Sequence, residues 1–344
     1  MKAAMFYGAK NVEVIELEDP KVNEEEILLE VKACGICGTD DLIFNGKYNA
    51  SFPVILGHEY CGIVKEIGKG VNEFKVGDKV AVDPNIFCGK CFYCLRGKGN
   101  LCKEYNALGV TRNGGFAEYS VVPISNVYRL GGNVDFAKGC MVEPLACCIR
   151  GVEMANVQLG DVVVILGHGT IGNLILQLAR ISGASKIIVS EPLEYRRKLA
   201  LDTGADYIFN PKIRDIEKEV KDVVREGADI VFECSGTQSA QESSLYLSRR
   251  GGTIIFFGCS PKEQKNSLSP FIINENELTI KGSFNNPYTT AKAARLITGG
   301  LIKTDHLITH KLPLCEIEKA FQLFGQEDVN KIIIINNIDM IGGE

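Results

Sequence analysis

Residues 161–191 read DVVVILGHGTIGNLILQLARISGASKIIVSE. The apolar run VVVIL, followed by glycines and then by apolar residues at helical spacing, predicts a buried parallel strand, a sharp turn and an amphipathic helix. A second apolar run, KIIVS, predicts the next strand. Gly167, Gly169 and Gly172 complete a G-x-G-x-x-G pattern in the context that gives it meaning, after a strand and opening a helix. A backbone without side chains can approach a pyrophosphate closely there, and the helix N-terminus attracts its charge. Thr170 and Ile171, inside the pattern, share that contact. Glu191 closes the second strand, where a carboxylate can accept both hydroxyls of an adenosine ribose and repel a 2′-phosphate. That favours NAD over NADP. Arg196 and Arg197 weigh on the other side, because a nearby guanidinium can hold a phosphate. The carboxylate is given precedence, and Arg196 is kept among the cofactor-binding residues.

Further strands are expected at 206–209, 229–233, 253–257 and 278–282, separated by helical or loop stretches. Six strands with crossovers make a doubly wound, Rossmann-type α/β sheet, assigned to residues 151–283. Upstream the pattern changes. Residues 2–7, 11–17 and 26–33, then YCGIVKEIG (60–68) and FKVGDKVAV (74–82), alternate apolar and polar side chains between glycine turns, and 113–130 do so again. They predict a β-rich domain of short strands over residues 1–150. A helix follows in CMVEPLACCIRGVEMANV, with Pro144 in its first turn and Glu143 just before it. The tail 284–344 is too short to fold alone and must pack back on another domain.

Composition sets limits on function. A chain of 344 residues exceeds one ordinary core, and 45% hydrophobic with 24% charged residues is the make-up of a globular protein. The net charge of −5, with lysines and arginines dispersed, gives no footprint for nucleic acid or for an anionic membrane. The expected partners are small molecules and copies of the chain itself. With no apolar span and no signal-like start, a cytoplasmic location is expected. Thirteen cysteines would suit a disulfide framework only in a small secreted domain, and the odd count argues for metal ligation instead.

The cysteines cluster in two places. Cys88, Cys91, Cys94 and Cys102, with gaps of two, two and seven residues, can wrap one tetrahedral ion. A closed shell of four thiolates leaves no position for substrate, so its role is to fold the lobe. An iron–sulfur cluster or a pair of disulfides would use the same thiols, and zinc is favoured because the spacing differs from known cluster motifs. The second place is ACGICGTDDLIFNGKYNASFPVILGHE (33–59), read as loops converging on one site. Cys37, His58 and Glu59 offer zinc ligands, and Thr39 offers a hydroxyl two residues from a ligand. Glu143 either favours its helix N-terminus or supplies a remaining ligand.

GICGTD, GHE, the four-cysteine lobe, NGGFAEY, EPLA, GHGTIG and HKLPLCEIEKAF, in this order, resemble the zinc-dependent medium-chain alcohol dehydrogenases along the whole chain. The sorbitol and polyol dehydrogenase branch is the most similar. The resemblance implies a GroES-like catalytic domain formed by 1–150 and the returning tail 284–344. It implies a catalytic zinc on Cys37 and His58, with Glu59 and Glu143 alternating with water, and a structural zinc on the four cysteines. Thr39 would be the proton-relay hydroxyl, and the assembly a dimer or tetramer. Zinc acting as a Lewis acid lets an alcohol lose its proton near neutral pH, and the electron-rich carbon can then give hydride to the nicotinamide. Many relatives end the proton relay on a histidine a few residues beyond the hydroxyl. Leu42 and Ile43 stand there, so the relay is expected to end at cofactor hydroxyls and water. His168 occupies a position usually held by a small residue and is expected to face solvent. Cys34 is expected to be a packing residue. Asn285 and Asn286, in GSFNNP, would hydrogen-bond substrate hydroxyls, since an amide offers both a donor and an acceptor. The expected reaction is oxidation of a secondary hydroxyl of a polyol or polyol phosphate to the ketose by NAD. A threonine-type amino alcohol dehydrogenase and a zinc-stabilised dinucleotide-binding protein without chemistry are the alternatives.

Overall fold

The computed structural model describes residues 1–336. The chain divides into two compact units, one formed by 1–146 with the returning segment from Asn285 onward, the other by Cys147–Phe284. Among the described residues no helix is long and apolar enough to cross a membrane.

The second unit is built on a six-stranded parallel sheet. Its strands run, in spatial order, Tyr207–Phe209, Lys186–Ser190, Val162–Leu166, Ala228–Glu233, Ser248–Phe256 and Thr279–Gly282. The chain starts in the middle at Val162–Leu166, winds outward to one side and then to the other, so the order reverses at the carboxyl end of that first strand. The apolar runs that predict buried strands are buried: Val163, Val164, Ile165, Ile187, Ile188 and Val189 are all inaccessible. The helix Thr170–Ile181 leads from the reversal point and packs Leu174, Ile175, Leu176 and Ala179 into this core.

In the first unit a seven-stranded sheet is organised around the strand Glu26–Gly35. On one side Glu59–Ile67 pairs with it antiparallel, matching Gly35 with Glu59, and on the other Lys331–Ile335 matches Ile333 with Gly35. Three distant segments therefore end at one place. The stretch 33–59 is not wholly loop: it includes the helix Gly38–Phe44, with Cys37 at its N-cap. The Asp40 carboxylate accepts the Cys37 backbone N–H at 2.9 Å, satisfying a donor at the start of the helix. Ile43 is inaccessible, and Phe44 stacks on Phe321 at 4.5 Å between ring centroids beside Phe6. Aromatic burial thus anchors one end of the helix and fixes where the other presents Cys37.

Candidate active site and cofactor site

Cys37, His58 and Glu59 converge, one potential ligand atom of each lying within 4.8 Å of the others. Thiolate, imidazole and carboxylate at such spacing fit a tetrahedral zinc with bonds of about 2.0–2.3 Å. His58 is oriented by Asp40, whose Oδ1 lies 3.3 Å from its Nδ1. Burial pulls the His58 pKa down, but the Asp40 carboxylate and Cys37 sulfur more than offset this, and it stands well above its ordinary value. The surroundings favour positive charge at this point, and a metal cation answers that demand as a proton does.

Glu59 has a buried partner that sequence reasoning missed. Lys331, on the strand Lys331–Ile335, is inaccessible apart from 4% of its surface, donates to the Ile36 carbonyl at 3.0 Å and forms a salt bridge with Glu59 Oε2. Burial disfavours its charge, but Glu59 and Cys37 outweigh that, so it stays protonated. Gly35 is required beneath this pair, because a Cβ there would collide with the Glu59 carboxylate and the Lys331 side chain.

The other expected residues fall as follows. Thr39 lies half-buried in the first turn of the helix Gly38–Phe44. Glu143 is in the first turn of Val142–Ala155 rather than before it, is buried, and stands outside the group formed by Cys37, His58 and Glu59. Cys34 is buried in the core of its unit. Asn285 and Asn286 separate. Asn285, in a left-handed conformation with φ 57°, is half-buried and donates from Nδ2 to the Tyr105 hydroxyl at 3.0 Å. Asn286 is inaccessible and engaged with Asn85 and Thr290, so the expected contact with a substrate hydroxyl is not open to it. Tyr105, another residue missed by sequence reasoning, lies within electrostatic reach of His58 and Glu143; burial first, and the nearby carboxylates second, push its pKa up.

Cys88, Cys91, Cys94 and Cys102 form the second metal-competent group, with Cys91 Sγ 3.6 Å from Cys94 Sγ and 4.0 Å from Cys102 Sγ. Among the described residues no cysteine is in a disulfide. Backbone N–H groups of Cys94 and Lys103 lower the Cys91 pKa, favouring the thiolate a metal needs. Cys102 Sγ likewise accepts from the backbone N–H of Cys88 and of Glu104, each at 3.3 Å.

In the second unit the glycine fingerprint takes the geometry it predicts. Gly167 has φ 92°, closed to most side chains, and a Cβ on Gly172 would strike the Gly167 carbonyl. Beside it is a cavity of about 400 Å³ lined by Gly167, Ser190, Pro192, Lys212, Ser235 and Thr237 among others. Glu191 is buried, accepting the backbone N–H of His168 at 2.7 Å and of Leu193 at 2.9 Å. His168 is inaccessible, contrary to the expectation that it faces solvent. Its N–H is tied to Glu191, which holds the residue in the turn. Arg197 donates to the Glu191 and Pro192 carbonyls, and Arg196 to the Tyr195 hydroxyl at 2.7 Å.

These contacts sharpen the cofactor expectation. Glu191→Ala removes a carboxylate that repels a 2′-phosphate and also frees two backbone N–H groups of the turn. The NADP-to-NAD ratio of kcat/KM should rise roughly tenfold, the equivalent of about 1.4 kcal/mol, while KM rises for both. Initial rates with each cofactor check this, and an unmutated enzyme that reduces NADP faster than NAD would contradict it.

Residues 23–132 match the family model of the alcohol dehydrogenase GroES-like domain, and 170–299 match that of the zinc-binding dehydrogenase. The chain is 36% identical over 343 residues to the L-threonine 3-dehydrogenase of Pyrococcus furiosus, covering 97% of each. It is 31% identical over 328 residues to the sorbitol dehydrogenase of Bacillus subtilis, covering 94% of this chain and 93% of that one. A zinc-binding dehydrogenase from Sinorhizobium meliloti 1021, solved bound to NADP, superposes with a TM-score of 0.94 at 36% identity, covering 97% and 98%. With both family models matched and relatives this similar along their whole length, the chain belongs to the zinc-dependent medium-chain alcohol dehydrogenases, enzymes that pair zinc with a nicotinamide dinucleotide.

Proposed function

We propose that this dehydrogenase oxidises a secondary hydroxyl of a polyol, free or phosphorylated, to the ketose, with NAD as acceptor. The observation that carries the substrate class is the polar pair of Asn285 and Tyr105, within electrostatic reach of His58. Such a pair is satisfied by a substrate rich in hydroxyls and left unpaired by a simple alkyl chain.

Cys37, His58 and Glu59 hold the catalytic zinc, with Glu143 a further candidate ligand, and Cys88, Cys91, Cys94 and Cys102 hold the structural one. When bound, the zinc supplies Lewis acidity toward the alcohol oxygen, and the dinucleotide accepts the hydride. Thr39 takes the released proton outward. Asp40 keeps the His58 ring in one orientation, and Lys331 keeps Glu59 charged. Without its counter-charge, burial of Glu59 would cost about 3–5 kcal/mol. Gly167, Gly169, Thr170, Ile171 and Gly172 take the pyrophosphate, and Glu191 the ribose hydroxyls, with Arg196 alongside. The catalytic domain comprises 1–150 and 284–344, the cofactor domain 151–283, and the protein works in the cytoplasm as a dimer or tetramer.

The similarity to threonine dehydrogenases favours a second reading, an amino alcohol as substrate. A substrate carboxylate asks for a cation, and Lys331, the one buried beside the metal group, is already paired with Glu59. The polyol is preferred on that ground. Comparing kcat/KM for sorbitol, xylitol, arabitol, a hexitol phosphate, threonine and 2-butanol separates the readings. A polyol should exceed 2-butanol by roughly 100-fold or more. Threonine as best substrate establishes the second reading, and 2-butanol as best substrate removes the first.

A further inference from the structure

Beneath the segment 285–290 lies a closed ring of buried side chains that admits one assignment of donors and acceptors. Asp83, 5% exposed, accepts at Oδ1 from the backbone N–H of Asn85 at 3.0 Å and from Asn85 Nδ2 at 2.9 Å, and at Oδ2 from the Thr290 hydroxyl at 2.7 Å. The same Asn85 nitrogen donates to Asn286 Oδ1, and Asn286 Nδ2 donates to Thr290 Oγ1 at 3.1 Å, closing the ring. Asn126 Nδ2 fixes the turn from the other side, donating to the carbonyls of Asp83 and Asn85, both at 2.8 Å.

An ionised carboxylate can only accept. Asn85 must therefore turn its nitrogen toward Asp83, which leaves its Oδ1 as acceptor for the Tyr105 hydroxyl. Having spent its proton on Asn85, the Tyr105 oxygen can only accept in turn. It takes the Asn285 Nδ2–H at 3.0 Å. Asn285 is thereby held nitrogen-inward, and its Oδ1 has no hydrogen-bond partner among the described residues. The polarity of a half-buried group is set four side chains away by a buried charge.

We propose that Asp83 is a positioning residue that makes the Tyr105–Asn285 pair a hydrogen-bond-accepting subsite, so that the enzyme selects substrates carrying a second hydroxyl as donor over those carrying an ether or alkyl group there. This rests on the alcohol-oxidising reading above, and it adds what the pair asks of the substrate: a donor. An amide in place of the carboxylate can donate, which allows the amide of Asn85, the tyrosine hydroxyl and the amide of Asn285 to reverse in sequence. Asn285 would then offer a donor, which an ether oxygen can accept.

The test compares 2,3-butanediol with 3-methoxy-2-butanol in the zinc-loaded enzyme, the Asp83→Asn variant and the Tyr105→Phe variant. Two readouts are taken: kcat and KM separately, and the dissociation constant of each compound from the enzyme–NADH complex by calorimetry. The unmutated enzyme should favour the diol about five- to tenfold, the effect of one hydrogen bond. In Asp83→Asn the ratio should fall to about one or invert, chiefly through the KM of the diol, with kcat changed less than about threefold. A merely structural loss would weaken both compounds alike and leave the ratio intact, and that result overturns the proposal. So does an unmutated enzyme that binds the ether as well as the diol. If Asp83→Asn fails to fold, Tyr105→Phe, at a half-buried position, decides: the ratio must fall there too. Turnover of no alcohol, with the diol still preferred in the binding measurement, removes the functional reading and leaves this subsite standing. Turnover of alcohols with no change of ratio in either variant does the reverse.

Discussion

Replacing Cys37 by alanine is expected to lower kcat/KM by about 10³-fold or more, since a catalytic metal supplies several kcal/mol of transition-state stabilisation. The zinc content should fall from two ions per chain to one, because the group formed with His58 and Glu59 loses its thiolate while the four-cysteine group is untouched. The fold should survive. The Cys37 side chain is half-exposed, the helix behind it is anchored by Ile43 and Phe44, and the Asp40 cap is made to the Cys37 backbone, which alanine retains. Elemental analysis, a thermal scan and initial rates on one preparation read all three effects. One ion per chain in the unmutated protein, bound by the four cysteines alone, would sink the catalytic assignment.

The opposite pattern is expected from Cys91→Ala. Residues 88–102 contain only two short 3₁₀ turns, Cys94–Arg96 and Gly99–Leu101, and Phe92, Leu95 and Leu101 are 54%, 73% and 44% exposed. A segment with its large apolar side chains in water has no core of its own, so the metal carries its folding. Structural zinc in comparable small modules is worth roughly 10–16 kcal/mol. The variant should lose one zinc, become cleavable by protease within 88–102 and unfold at a temperature at least about 10 °C lower. Mass spectrometry of the fragments and calorimetry read this, and a segment that keeps its protease resistance without metal would refute it.

What could be read from the sequence differed by how local its cause was. Gly167 and Gly172 were legible because a left-handed turn and a close backbone approach admit no other residue type. The four cysteines were legible because their ligand group is assembled from one short stretch. The zinc and dinucleotide chemistry followed from these together. Lys331 was not legible: in KIIIINN it looks like the polar edge of a strand, and it is buried only because that strand pairs with Glu26–Gly35. Asp40 left a trace, since Cys37-x-x-Asp40 has the spacing of a helix cap, but nothing in it points to His58. The two asparagines could not be told apart. A left-handed residue at 285 turns the backbone between them, sending one amide to Tyr105 and the other into the ring around Asp83. His168 was misread for a similar reason, as its burial depends on Glu191 from the neighbouring strand.

The Lys331–Glu59 pair also bears on the order of events at the ribosome. The four-cysteine group is encoded within residues 88–102, so its ligands emerge almost together and can be filled while synthesis continues. Cys37, His58 and Glu59 emerge early, but the cation that balances Glu59 follows 272 residues behind it. Until the C-terminal strand is translated and docked, that carboxylate has no buried counter-charge and the strand beside Gly35 is missing. The lobe metal belongs to the growing chain, and the catalytic metal to the finished one.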